Sequence, residues 1–307
     1  MFDFPQVRSE LGNMTSFPEM FDCVLYVRFV CRPRPTSIFM SLGHRTSNIL
    51  QDIIQAGNLS QTILWVGGSD RRLSQARHFG LNLTHIVSTF KMVYWETMDV
   101  SFSGIRPAPT LFTDRYMREA GIAALNVVKD VSVKSKKKWL LATWGWYQPQ
   151  LDVSPNCKDR VSAVKWLQTH ANESWIDRNK TSPNVYWSRM AEHRFFLSPS
   201  GLGVQSPKTF EAIASLTVPI CHRSNLAYIR LASEGWPIII VDTWDWINVY
   251  NMSKWWIEYA PFMLYARKCM RKAVLYHNYM NNITMRECIA NARQKKRTNN
   301  VQKLYVT

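Results

Sequence analysis

Short runs of β-branched and aromatic residues alternate along this chain with segments whose apolar residues recur every three or four positions. Runs such as Gln61–Val66 and Pro237–Val241 predict buried strands, and segments such as Ser47–Ala56 predict helices with one apolar face. Because parallel strands need a crossover connection, usually a helix, this alternation is typical of parallel sheets covered by helices. The pattern therefore predicts an α/β fold.

The other elements follow from the same periodicities. Further strands are predicted at Cys23–Cys31, Thr36–Leu42, His85–Phe90, Trp139–Thr143, Arg194–Leu197 and Val218–Cys221. Further helices are predicted at Arg160–His170, from Pro207 onward, and over Lys254–Tyr276. Proline lacks a backbone N–H, so Pro261 is expected to kink or split the last of these helices.

The length of the chain and one interruption of the pattern predict two domains. The chain has 307 residues, and single hydrophobic cores stop growing at roughly 250–300. Prolines at 107 and 109 and the lysine-rich stretch 129–138 precede a strand that starts afresh at Trp139. We therefore predict one α/β domain over residues 1–135 and a second over 136–253, followed by a helical tail over 254–307 that packs back across them.

The chain carries a large excess of positive charge. It has 38 Lys and Arg residues against 22 Asp and Glu residues, a formal net charge of +16. Two clusters stand out, comprising Lys129, Lys134, Lys136, Lys137 and Lys138 in the first and Arg267, Lys268, Arg271, Lys272, Arg293, Lys295, Lys296 and Arg297 in the second. Such charge suits a solvated surface, or binding to a nucleic acid, an anionic surface or a phosphate-bearing substrate. No nucleic-acid-binding motif accompanies it, so a basic nucleic-acid-binding protein is the alternative interpretation.

Hydropathy and cysteine usage indicate the cellular compartment of the protein. No apolar run approaches the roughly 18 residues of a membrane helix, and Asp3 and Glu10 stand where a signal peptide has basic and apolar stretches. None of the six cysteines forms a C-x-x-C pair, so free buried thiols in a reducing compartment are expected. These features predict a soluble, cytoplasmic protein.

The segment Arg194–Ile220 has the pattern that is most informative about chemistry. A strand runs into a loop over residues 198–203 in which Gly201 and Gly203 allow close approach of backbone to a ligand. Ser206 is placed to cap a helix that has Pro207 at its first position, a strong helix-start signal. Backbone N–H groups at a helix start, together with a lysine side chain, make an anion site suited to phosphate.

Two charged residues follow that helix start. Lys208 would meet the phosphate, and Glu211, one turn further, could bind the vicinal hydroxyls of a ribose, as acidic residues do in dinucleotide folds. The alternative is a plain strand–loop–helix unit whose Lys208 and Glu211 are solvated.

The same segment resembles the donor-binding signature of exostosin-like glycosyltransferases, roughly F-x-L-x-P-x-G, S-P-K/R, E-A and P-I/V. The matching residues are Phe195, Leu197, Pro199, Gly201, Ser206, Pro207, Lys208, Glu211, Ala212, Pro219 and Ile220. Weaker resemblances cover the Gly68–Asp70 turn, Asp99-Val100 with Pro107 and Pro109, Lys138–Leu141 with Arg160, and Pro237–Asp242.

Two departures from the family pattern accompany these matches. The family's glycine before the final proline is replaced, since Ser215-Leu216-Thr217 precedes Val218-Pro219, and its common N-terminal membrane anchor is absent. Members without an anchor are similar to enzymes of large algal viruses, the chloroviruses, that glycosylate their own capsid proteins in the host cytoplasm.

The resemblance implies a GT-B fold, in which two Rossmann-like domains face each other across a crevice. The C-terminal domain would bind a nucleotide-sugar donor, a UDP-sugar in the first instance with xylose as a plausible sugar. The N-terminal domain would bind an oligosaccharide or glycoprotein acceptor. The donor-binding residues would be Arg160, Pro199, Ser200, Gly201, Gly203, Ser206, Lys208, Thr209 and Glu211.

The predicted mechanism uses no metal and no further cofactor. The chain has no D-x-D motif, and Lys208, Arg160 and the helix dipole can meet the charge of a leaving diphosphate. An inverting transfer also needs a base from the N-terminal domain, at the carboxyl end of a strand. Asp70 and His44 meet this description, and Asp70 is preferred because Gly67-Gly68 exposes it and two arginines follow it.

Overall fold

A computed structural model describes residues 37–40, 60, 63–67, 72–110, 124, 126–143, 158–201, 204–270, 278 and 281–304. Its strands form two sheets, and every strand pair within them is parallel. The first sheet contains, in chain order, β1 (Ser37–Met40), β2 (Ile63–Val66), β3 (Met92–Trp95) and β4 (Ile105–Pro107). The predicted α/β class with parallel sheets is confirmed.

The second sheet has a different strand order. It contains β5 (Lys138–Leu141), β6 (Ile176–Asp177), β7 (His193–Leu197), β8 (Val218–His222) and β9 (Ile239–Val241). The order across the sheet is β6-β5-β7-β8-β9, so the chain moves outward from β5 to an edge and then returns to the other side of β5. Loops that leave neighbouring strands in opposite directions open a crevice at the carboxyl ends of β5 and β7, where open α/β sheets bind ligands.

Helices connect these strands and follow them. They are α1 (Leu83–Thr89), α2 (Lys158–Thr169), α3 (Pro183–Glu192), α4 (Pro207–Ala214), α5 (Leu226–Ser233), α6 (Val249–Cys269) and α7 (Met285–Leu304). Short 3₁₀ helices occupy Leu73–Phe79, Val133–Ser135 and Trp244–Trp246. Among the described residues no helix combines the length and the apolar character that crossing a membrane requires.

Each sheet has its own hydrophobic core. The core of the first sheet is built around Leu64, Val93 and Trp95, and Val204 and Ala227 join it from later in the chain. The core of the second sheet is larger and includes buried residues of α6 and α7. The two C-terminal helices therefore pack on the second sheet, while the domain limits 1–135, 136–253 and 254–307 stay predictions.

One sequence-based element prediction is wrong, and a second is wrong in part. The stretch His85–Phe90 is not a strand, because the Asn82 side chain accepts a hydrogen bond from the His85 N–H and starts α1 there. This cap outweighs the strand preference of the β-branched residues behind it. Pro261 does not split the last helix, since α6 runs unbroken through it, and a kink at this position stays a prediction. The predicted strand Cys23–Cys31 and helix Ser47–Ala56 lie outside the described residues.

The cysteines and one lysine also differ from expectation. Cys269 and Cys288 form a disulfide between α6 and α7, whose packing brings their Cα atoms within 6.1 Å, so the prediction of free thiols is wrong for this pair. Cys221 is free and buried, as predicted. Lys136, a member of the first lysine cluster, is 3% exposed and lies inside the protein.

Candidate functional site

A cavity of about 50 Å³ lies at the carboxyl-terminal side of the second sheet. Its walls come from the end of β7, from the start of α4 and from the first turn of α2, the helix that follows β5. The lining residues are Arg160, Phe196, Ser198, Pro199, Ser200, Ser206 and Lys208. The cavity thus lies where the strand order of the sheet reverses. All seven residues belong to the stretch Arg194–Ile220 that the sequence pattern singled out or, in the case of Arg160, to the predicted donor-binding set.

The loop after β7 is held in a tight conformation. The Ser198 N–H donates to the carbonyl of Ile220, which extends the pairing with β8 by one residue. A Cβ on Gly201 would lie 2.7 Å from the carbonyl oxygen of Gln205, so this position excludes any side chain. Val204 has a φ of 73° and bridges back to Gly201. Gly203, the second predicted glycine, lies outside the described residues.

The helix start is where the sequence predicts it. Helix α4 begins with Pro207, and Ser206 is its N-cap residue. The Ser206 side chain makes no capping hydrogen bond, however, and its backbone N–H donates to the Tyr228 hydroxyl at 2.6 Å. The Tyr228 side chain, which belongs to α5, therefore helps to hold the first turn of α4 in place.

Two cationic side chains line the cavity. The Lys208 Nζ lies 4.0 Å from the ring centroid of Tyr186, a cation–π contact. Burial lowers the pKa of Lys208, Glu211 works in the opposite direction, and the neighbouring Arg160 lowers it further. The two cations repel each other across the cavity wall, so an anion placed between them would be stabilised by both.

Thr209 and Glu211, the other predicted donor-binding residues on α4, lie elsewhere. Both are fully buried, and neither lines the cavity. The Thr209 hydroxyl is hydrogen-bonded to the hydroxyls of Ser198 and Tyr228, each at 2.7 Å. Contact of Glu211 with a ribose stays a prediction, and in this structure its charge instead acts on Lys208.

Two residues next to the cavity were not found by sequence reasoning. Asp159 is 2% exposed and accepts hydrogen bonds from the Ser200 N–H (2.9 Å) and hydroxyl (2.8 Å). Burial raises the pKa of Asp159, although the Ser200 hydrogen bonds and His222 oppose this. Asn225 caps α5 and donates to the Ser200 hydroxyl at 2.8 Å and to the Val204 carbonyl at 2.6 Å. Only the N-cap pattern of Asn225 could have been recognised in advance.

The loop over the cavity also contacts the first half of the chain. The Gln205 amide donates to the carbonyls of Glu96 and Ala108 (2.8 Å for Ala108) and accepts from the Thr110 N–H at 3.3 Å. A salt bridge of 2.8 Å between Arg106 and Glu234 joins the same two parts of the molecule. The cavity wall is therefore anchored to both sheets.

The predicted bases Asp70 and His44 lie outside the described residues. In the described part, Glu96 is a buried carboxylate just after β3, on the side where a base was expected, and it accepts from the Trp65 indole N–H at 3.0 Å. A Cβ on Gly67 would lie 2.1 Å from its carboxyl carbon, so Gly67 leaves room for this side chain. Within the part of the chain that the structure describes, no group of three or more potential metal-ligating side chains occurs.

Comparison with known proteins finds little. No protein-family model matches the chain, and no curated protein matches it. Two solved structures align over nearly its whole length, an α,α-trehalose 6-phosphate synthase from Burkholderia multivorans and a UDP-forming α,α-trehalose-phosphate synthase from Burkholderia vietnamiensis. The first is 11% identical with a TM-score of 0.31 and covers 100% of this chain and 78% of its own. The second is 10% identical with the same TM-score and covers 97% and 81%. Scores of this size carry no argument about fold or function.

Proposed function

We propose that the protein is a glycosyltransferase that takes its sugar from a nucleoside diphosphate donor. The observation that carries this proposal is the convergence of Arg160, Lys208 and three serines on one cavity at the strand-order reversal of a parallel sheet. Such crevices bind nucleotides in many α/β proteins, and two cations with hydroxyl donors suit a diphosphate. The resemblance to the exostosin-like signature supports a nucleotide sugar, rather than a nucleotide alone, as the ligand.

The chemistry assigned to the cavity is stabilisation of the leaving diphosphate. As the glycosidic bond breaks, negative charge grows on the phosphate oxygens, and we propose that Lys208, Arg160 and the amino end of α4, which lie at the cavity, stabilise this charge. We propose that this set acts without a metal. We further propose UDP as the nucleotide, xylose as a candidate sugar and an oligosaccharide or glycoprotein acceptor on the side of the first sheet.

A panel of nucleotide sugars, screened by mass spectrometry for hydrolysis or transfer, tests the proposal. We expect turnover of at least one UDP-sugar, unchanged by excess EDTA. Loss of turnover in EDTA with rescue by Mn²⁺ or Mg²⁺ would overturn the metal-independent mechanism. Thermal stabilisation by a mixed oligonucleotide but by no nucleotide sugar would instead favour a nucleic-acid-binding protein.

For an inverting transfer we propose Asp70 as the base, with His44 as the second candidate. Asp70→Asn should retain the fold and donor affinity and lower turnover by roughly 10²–10⁴-fold, because the acceptor hydroxyl then keeps its proton as it attacks. Near-normal turnover of Asp70→Asn, with loss in His44→Ala, would transfer the role to His44. A product that retains the donor's anomeric configuration would remove the need for either.

A further inference from the structure

The hydroxyl of Ser200 is oriented by its two neighbours. An asparagine Nδ2 can only donate, so the Ser200 oxygen accepts in its 2.8 Å contact with Asn225. A carboxylate oxygen accepts, so the Ser200 hydrogen goes to Asp159, which also takes the Ser200 N–H. Ser200 lines the cavity with its hydrogen already used and one lone pair left.

The hydroxyl of Ser198, in contrast, accepts a hydrogen bond from its neighbour and keeps its own hydrogen for donation. The Tyr228 oxygen accepts from the Ser206 N–H, and because Tyr228 is fully buried its one hydrogen goes to the Thr209 oxygen at 2.7 Å. Thr209 then donates to Ser198, also at 2.7 Å. The hydrogen of Ser198 remains for the Cys221 sulfur, a weak acceptor, or for an oxygen in the cavity.

We propose that this pair of serines makes the cavity selective for an anionic group that has a hydroxyl beside it. Ser198, Arg160 and Lys208 donate to the anion, whereas Ser200 accepts from the neighbouring hydroxyl and repels an oxygen that carries no hydrogen. Asp159 and Asn225 are positioning residues, because they fix the direction of the Ser200 hydroxyl. The inference rests on the proposed function in that a nucleotide sugar has hydroxyls close to its phosphates.

Ser200→Ala tests the role of the hydroxyl directly. Affinities are measured by calorimetry for UDP-glucose and glucose 1-phosphate, which carry hydroxyls, and for inorganic pyrophosphate, which has none on carbon. We expect a loss of about 3- to 10-fold for the first two, one net hydrogen bond, and less than twofold for pyrophosphate. A loss for pyrophosphate equal to that for the other two, or no loss for any, would overturn the inference.

The positioning role of Asp159 is tested through the ratio of the affinity for glucose 1-phosphate to the affinity for pyrophosphate. Asp159→Asn keeps an oxygen that can accept from the Ser200 N–H and from the Ser200 hydroxyl, so it should keep the preference for hydroxyl-bearing ligands. Asp159→Ala has no such oxygen and should lose the preference. Adding Ser200→Ala to Asp159→Ala should change the ratio no further. A further, additive drop in the double variant would show that Asp159 acts on stability alone. Melting temperatures identify any variant that does not fold, and Asn225→Ala then replaces Asp159→Ala in the cycle.

Failure of this inference is distinguishable from failure of the proposed function. If wild-type protein binds glucose 1-phosphate and pyrophosphate but no nucleotide sugar, and Ser200→Ala still weakens only the former, the selectivity stands and the nucleotide donor is refuted. If Ser200→Ala weakens the binding of UDP-glucose, glucose 1-phosphate and pyrophosphate equally, the donor site stands and the selectivity is refuted. Binding of none of the three probes would refute both.

Discussion

The two ends of the second sheet each enclose a lysine, and their surroundings differ. At the amino-terminal end, the Lys136 Nζ donates to the carbonyls of Met190 (3.2 Å) and Ser215 (2.6 Å) and to the Thr217 hydroxyl (2.6 Å). At the carboxyl-terminal end, Lys208 lines a cavity together with a second cation, Arg160. Burial lowers the pKa of both lysines, so a perturbed pKa alone does not distinguish them.

These different surroundings distinguish a buried lysine with a structural role from one that can act on a ligand. The two carbonyls and the hydroxyl satisfy the hydrogen-bonding capacity of the Lys136 nitrogen whether it is an ammonium or an amine. Lys136 therefore needs no ligand. Lys208 interacts with Glu211, which raises its pKa, and with Arg160, which lowers it, and both cations line an open space in which an anion would be attracted by the two of them. The predictions that follow separate a site for ligands from a site for stability.

The largest effect is expected from Lys208→Ala. It should lower sugar transfer by roughly 10²–10³-fold, because one preorganised donor to the leaving diphosphate is lost. Initial rates with the nucleotide sugar found in the screen measure this. Lys165→Ala, an exposed lysine on α2, is the matched control and should be unchanged. Equal rates in the two variants would remove Lys208 from the site.

Lys136→Met should act on stability and leave the rate per folded molecule unchanged. It deprives the carbonyls of Met190 and Ser215 of their donor, at a cost of about 1–3 kcal/mol in the free energy of unfolding. Urea denaturation measures the difference, and Lys137→Met, an exposed neighbour, is the control. A variant as stable as the wild type would show that the three hydrogen bonds contribute nothing net.

The pH dependence of stability should also identify Lys136. Burial, together with Arg267, lowers the pKa of Lys136 from 10.5 to about 6. Between these values the unfolded chain binds the proton and the folded chain does not, so the stability of the wild type should rise with pH relative to Lys136→Met. Below about pH 6 the difference should level off. A relative fall in stability over the same window would contradict the assigned direction.

The smallest effect is expected at the start of α4. The Ser206 side chain makes no capping bond, so Ser206→Ala should change stability by less than about 0.5 kcal/mol. Asn225→Ala is the contrast, because Asn225 accepts from the Tyr228 N–H at 3.2 Å and should cost about 0.5–2 kcal/mol. Thermal unfolding of both variants measures this, and a larger cost for Ser206 would mean that its hydroxyl caps α4 in solution.

Local signals in the sequence predict much of this architecture. Apolar runs locate β2, β5, β7, β8 and β9, and the Ser206-Pro207 pair locates α4, because strand and helix-start preferences act over a few residues. The helix α1 was missed because the cap by Asn82 competes with β-branched residues, and the outcome depends on packing.

The polar networks could not be predicted in the same way. Asp159 and Ser200 are 41 residues apart, Ser200 and Asn225 are 25 apart, and only the order of strands in the sheet brings them together. Lys136 lies in a run of lysines that indicates a surface, yet its acceptors Ser215 and Thr217 come about eighty residues later. Which lysine of a charged run points inward is decided by such distant partners.

Calorimetric titration of UDP into three proteins tests the central claim most directly. The wild type and Lys136→Met should bind UDP with affinities within twofold of each other, at a temperature where both are folded. Lys208→Ala should bind at least tenfold more weakly, because a charge-assisted contact is lost at the cavity and not at the other end of the sheet. Equal binding by Lys208→Ala and the wild type, or binding by none of the three, would contradict the account.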